Sequence, residues 1–188
     1  MWLCLIFFLI FDYFLAFLTS FFSLLPVFLP GNIIKILLLI FFMRRYGLTA
    51  GLGGNFQPIS MSIALVILFL LNMASTVLFN SEAGLYLPQD QFTILLLMMI
   101  MISAVSEELF YRAWLLEVFD TVGRNRATLL AGLIFSAGHI YQGLPGVLFS
   151  LCASFVLAAL YYRSGGVKAG IIVHIMYNLI IFSVNQYV

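Results

Sequence analysis

Long apolar runs constrain this chain more than any other feature. Residues 1–25, 33–43, 59–79, 91–117, 127–140, 146–162 and 169–188 are dominated by Leu, Ile, Phe, Val and Met, and only short polar breaks separate them. A membrane-spanning helix needs about 20 apolar residues, so the length accommodates about seven spans and little else. Hydrophobic residues fill 64% of the 188 positions, charged residues only 8%, and the mean hydropathy is +1.17. Soluble domains carry roughly 25% charged residues, and a water-soluble fold could not hide this much apolar surface. The expected fold is all-α: a polytopic transmembrane helical bundle, one domain over residues 1–188, with its motif-bearing core at 91–188.

A net charge of +1, with Lys and Arg scattered, provides no basic patch for nucleic acid. Expected partners are the lipid bilayer and substrates already anchored in it. Cys4 and Cys152 lie in apolar runs without metal or disulfide spacing and read as small hydrophobes. The first segment lacks the positive n-region and small-residue cleavage site of a signal peptide, and is expected to be a retained span. Asp12 stands alone in it and reads as a structural hydrogen-bonding residue.

Loop charges set the expected sidedness. Arg44 and Arg45, Arg124 and Arg126, and Arg163 and Lys168 fall in alternate loops, whereas the breaks at 26–32, 80–90 and 141–145 contain no basic residue. The positive-inside rule then makes the protein an integral, multi-pass membrane protein with a cytoplasmic N-terminus. Lys35 is the one misfit, expected to snorkel to the interface. Ser150, Ser154 and Ala158 recur four residues apart, as do Gly170, His174 and Asn178, which is the spacing of a helix–helix contact stripe. Asn72 and Thr76 share a helix face and read as polar packing groups.

Ionisable residues inside spans are costly, so each calls for a partner or a function. Glu107, Glu108 and Arg112 lie on the fourth segment, His139 on the fifth, and His174 with Asn178 on the seventh. Four residues along a helix return to nearly the same face, so Glu108 and Arg112 are expected to pair, while Glu107 points about 100° away. Glu107, with much less of a counter-ion, is the candidate general base. Ser103 and Ala104, one turn earlier, leave room for another helix. Measured from the basic-loop side, a rise of 1.5 Å per residue sets Glu107 about 15 Å, His139 about 20 Å and His174 about 9 Å deep.

Glu107-Glu108-x-x-x-Arg112, Phe135-x-x-x-His139 and His174-x-x-x-Asn178, in that order on successive apolar segments, resemble the three motifs of the CPBP family of intramembrane CAAX prenyl endopeptidases and bacteriocin-processing, abortive-infection-type proteins. The resemblance extends from Glu107 to Asn178. It implies an intramembrane endopeptidase acting on a membrane-anchored, prenylated or transmembrane substrate. It further implies that Glu107 and His139 activate water while His174 and Asn178 stabilise the oxyanion. Glu108 and Arg112 would then fix and balance the base, and Phe135 would pack beside the site.

Three other readings share these residues. Glu107, His139 and His174 form a possible His₂Glu zinc set, although Arg112 would put a cation beside the metal, so no cofactor is the expectation and zinc the alternative. A non-catalytic bacteriocin-immunity or scaffold protein would have no need of an unpaired glutamate. An ion transporter would be expected to show internal repeats, and none is present. Zinc-protease His-Glu-x-x-His and serine Gly-x-Ser-x-Gly signatures are both absent.

Overall fold

The computed structural model describes residues 6–11, 13–14, 25–79 and 94–185. Cys4, Asp12 and the predicted break at 80–90 lie outside the described residues. Most of those described are helical, with no strand among them. In chain order the helices are α1 (Leu25–Tyr46), α2 (Pro58–Phe79), α3 (Ile94–Glu107), a π-helical stretch (Glu108–Leu115), α4 (Leu116–Phe119), α5 (Arg124–Ala137), α6 (Gly143–Ser164) and α7 (Lys168–Asn185). Among the described residues two stretches, Pro58–Phe79 and Ile140–Ser164, are long and apolar enough to cross a membrane, with mean hydropathies of 2.3 and 2.0; Lys168–Val184 is apolar but shorter.

α1 departs from the predicted pattern. The break at 26–32 is helical, and α1 runs through Pro30 for 22 residues. The first four N–H groups of a helix have no internal partner, so a proline at the start of α1 costs no hydrogen bond and Pro30 removes only one. The turn signal was therefore a helix entry. Lys35 departs too. It does not snorkel but is fully buried, its ammonium 5.0 Å from the centre of the Phe110 ring and 6.0 Å from that of Tyr111. Aromatic faces offer a cation part of the stabilisation it loses on leaving water.

Three basic loops meet at one end of the bundle. The loop after α1 hydrogen-bonds to the α6–α7 turn: Asn55 N–H to the Ser164 carbonyl, Val167 N–H to the Gly51 carbonyl, and the Gln57 amide to the Arg163 carbonyl. A side chain on Gly166 would strike the Gly53 backbone, so this approach requires glycine. Arg124 opens α5 with its guanidinium 3.8 Å from the centre of the Tyr162 ring. The loop charges that alternate along the sequence are thus gathered in space.

Among the described residues three apolar clusters hold the helices, the smallest joining α3 to α7 through Leu96, Ile100 and Phe182; the other two are larger. One surrounds the π-helix and draws on α1, α5 and Phe8; the other joins α2, α6 and α7 through Leu68, Leu157, Val173 and Tyr177. Ser150, Ser154 and Ala158 are buried on one face of α6, as a small-residue contact stripe requires. Thr76 bonds back to the Asn72 carbonyl within α2.

Candidate functional site

The polar residues of α3, the π-helix and α7 meet at one point. Glu108 and Arg112 are buried, and Arg112 Nη1 lies 3.1 Å from Glu108 Oε1. The i, i+4 pairing read from the sequence survives although the segment is π-helical, because positions four apart stay neighbours when a turn holds slightly more than four residues. All eight residues from Glu108 to Leu115 are buried. Single turns of π-helix are rare and cluster at functional sites, so this stretch marks the region independently of its charges.

His174 bridges the two glutamates. Its Nδ1 lies 2.9 Å from Glu108 Oε1, and its Nε2 lies 3.9 Å from Glu107 Oε2. The Glu108 carboxylate accepts, so Nδ1 carries the proton and, in the neutral ring, Nε2 keeps its lone pair facing Glu107. Access to water differs across the cluster. Glu107 has 22% of its side chain exposed and His174 11%, while Glu108 has none. Glu108 is thus an internal anchor, and the Glu107–His174 edge is the part a substrate or water can reach.

Gly170 makes this approach possible. A Cβ there would lie 2.9 Å from Glu108 Oε2, so α7 can come this close to the π-helix only with no side chain at that position. The sequence shows Gly170 and His174 on one stripe but not what the stripe rests on. The sequence presents Ser103 as room for another helix, yet its hydroxyl donates to Glu107 Oε1 at 2.8 Å. The signal was available in the four-residue spacing that lets side chains meet along a helix.

His139 reaches the cluster indirectly. α5 ends at Ala137, so His139 is not on a helical face as predicted but in the turn that follows, at φ −103° and ψ 13°. Its Nδ1 lies 3.0 Å from the Phe135 carbonyl, one of the carbonyls that lose their helical partner at a C-terminus. Phe135 is the link: its ring centre lies 4.6 Å from that of His139 and 4.5 Å from the Arg112 guanidinium, and Tyr111 packs edge-on against it. Asn178 follows His174 by one turn on α7, is half-buried, and makes no hydrogen bond among the described residues. Arg112, Glu108, His174 and Glu107 therefore form one chain of contacts in that order, His139 joins it through Phe135, and Asn178 shares only the helix of His174. No three His, Cys, Asp or Glu side chains converge as a metal-ligand set among the described residues.

Comparison with known proteins bears on this half of the chain. No curated protein and no solved structure matches it. A family model described as Type II CAAX prenyl endopeptidase Rce1-like matches residues 89–180, an interval that takes in all three motifs and leaves α1 and α2 outside. Over that interval the chain is similar to the Rce1-like type II CAAX prenyl endopeptidases.

Proposed function

We propose that this protein is an intramembrane endopeptidase in which Glu107 activates a water molecule for attack on a peptide bond. The observation that carries the reading is the imidazole set between adjacent glutamates: one anchored and buried, the other facing it at 3.9 Å and partly open. That gap is too long for a direct hydrogen bond and suits a water held by both groups. Glu107 takes a proton from the water as its oxygen attacks the scissile carbonyl carbon, and the carbonyl oxygen becomes an oxyanion. His174 and Asn178, one turn apart on α7, are the donors to that oxygen. With Nδ1–H committed to Glu108, His174 donates from Nε2 when the ring is protonated. When the tetrahedral species collapses, the C–N bond breaks and the proton on Glu107 passes to the leaving amine. His139, whose Nε2 stays free, assists in activating the water. The Glu108–Arg112 pair holds His174 and neutralises the buried charge.

The membrane reading extends this. The bundle crosses the bilayer several times with its N-terminus in the cytoplasm, a topology supported by the basic loops gathered at one end. Substrates are membrane-tethered, prenylated or carrying their own span, and are cut near the cytoplasmic face. The test compares two matched peptides, one with a lipid or apolar anchor and one without, as substrates of purified protein in liposomes. The anchored peptide should have the much higher kcat/KM, and equal efficiency for both would refute tethered recognition.

One observation favours a second, zinc-dependent form of the enzyme. Both histidines give Nδ1–H to an internal acceptor and leave Nε2 free, as metal-ligating histidines usually do. Glu107, His139 and His174 are the ligands such a form would need, but among the described residues they do not converge as a set, so His139 would have to move toward the other two; elemental analysis of active protein decides between the two forms.

A further inference from the structure

Hydroxyls in this bundle mostly follow one habit. Thr76, Thr128 and Ser183 donate to the carbonyl four residues back, and Ser136 and Ser150 to the carbonyl three back. Such bonds satisfy a hydroxyl in an apolar setting without engaging any other side chain. Ser103 has the same choice on α3 but donates to Glu107 Oε1 at 2.8 Å. A carboxylate is a two-oxygen acceptor that turns freely about its last bond unless something holds one oxygen. Here Oε1 is held, and the other oxygen, Oε2, faces His174 Nε2 across 3.9 Å. Arg112 does not do this for Glu107, because its guanidinium is engaged by Glu108.

We propose that Ser103, which lies outside all three motifs, is the positioning residue of the general base: its hydroxyl pins Oε1 of Glu107 so that Oε2 is presented to the water and to His174. This rests on the assignment of Glu107 as the base. Ser103 touches neither substrate nor water in this scheme and acts only through the carboxylate. It should therefore affect turnover rather than binding.

Three variants of the full-length protein, each assayed in liposomes with an anchored peptide and each melted in detergent, test the idea. Ser103→Ala should lower kcat by about 10- to 100-fold, the range expected for losing a hydrogen bond to a charged group, with KM and thermal midpoint close to wild type. Ser103→Thr, which restores the hydroxyl, should recover most of that kcat. A Ser103→Ala enzyme with wild-type kcat would overturn the proposal. So would a Ser103→Thr enzyme as slow as the alanine variant, since the position would then matter for its volume and not its hydroxyl. Glu107→Gln separates the two levels of the argument: full cleavage by that variant defeats the assignment of the base itself, whereas an inactive Glu107→Gln beside a fully active Ser103→Ala defeats the role of Ser103 alone.

Discussion

α2 and the π-helix are built inside out relative to each other. α2 is apolar almost throughout, yet only Met61, Ala64, Leu68 and Ser75 are buried, and its outer face presents Ile63, Val66, Leu70, Met73 and Val77. The stretch Glu108–Leu115 contains an ion pair, and every one of its residues is buried. In water this arrangement would be perverse, since apolar surface is driven inward and charge outward. In lipid it is the economical one. On the membrane reading proposed above, hydrocarbon solvates α2 as well as another helix would, so helices associate through close packing and internal polar contacts. The polar interior is then both what holds the bundle together and where chemistry becomes available.

The largest effects should come from breaking the interior of the π-helix. Arg112→Ala leaves the Glu108 carboxylate buried without its cation, and Glu108→Gln leaves Arg112 without its anion. Removing one partner of a buried pair costs about 3–5 kcal/mol, so both variants should melt at much lower temperature as well as lose activity. Glu107→Gln should separate the two effects, because Glu107 is partly open and keeps little volume change in the amide. Its activity should fall by about 10²- to 10⁴-fold, the usual contribution of a general base, at nearly unchanged thermal midpoint. If Glu107→Gln melted as early as Arg112→Ala, the distinction between anchored and working glutamate would be lost.

Much of this contrast was legible in the sequence. The pairing of Glu108 with Arg112 and the separateness of Glu107 follow from helical spacing, and the three motifs could be read in order from Glu107 to Asn178. What escaped depends on relations that periodicity does not encode. A π-helix keeps positions four apart adjacent just as an α-helix does, so the pattern at Glu108–Leu115 cannot announce it. Pro26 and Pro30 look like a turn until the helix start is known, because proline is tolerated in a helix's first turn, where Pro26 lies, and Pro30 just beyond it removes a single hydrogen bond. His139 reads as part of a helical face because nothing in the spacing marks the end of α5 at Ala137. Lys35 was expected to seek water, the general habit of lysine. Its burial became visible only with Phe110 and Tyr111 in place.

A smaller effect should follow from filling the gap between α7 and the π-helix. Gly170→Ala places a methyl 2.9 Å from Glu108 Oε2, and that carboxylate cannot retreat without lengthening its contacts to Arg112 and His174. Overpacking of this kind costs about 1–3 kcal/mol. The cost should appear as a lowered thermal midpoint together with a lowered kcat, since the displaced carboxylate carries His174 with it. A Gly170→Ala protein with unchanged turnover would show that the His174–Glu108 contact is not needed for catalysis.

The smallest effect should come from the outer face of α2. Val66→Ala removes two methyl groups from a side chain that is 56% exposed. If that face meets hydrocarbon, the lost contacts are replaced by lipid or detergent and no internal cavity opens. The change in stability should then stay within about 0.5 kcal/mol, the range for substitutions away from any buried feature. Leu68, on the same helix but almost fully buried against α6 and α7, supplies the control: truncation to Ala should cost about 2–5 kcal/mol because a cavity remains. Thermal melts of the two variants in the same detergent compare the faces directly. A Val66→Ala loss as large as that of Leu68→Ala would mean that protein covers the outer face, and the contrast between α2 and the π-helix would need a partner rather than lipid to explain it.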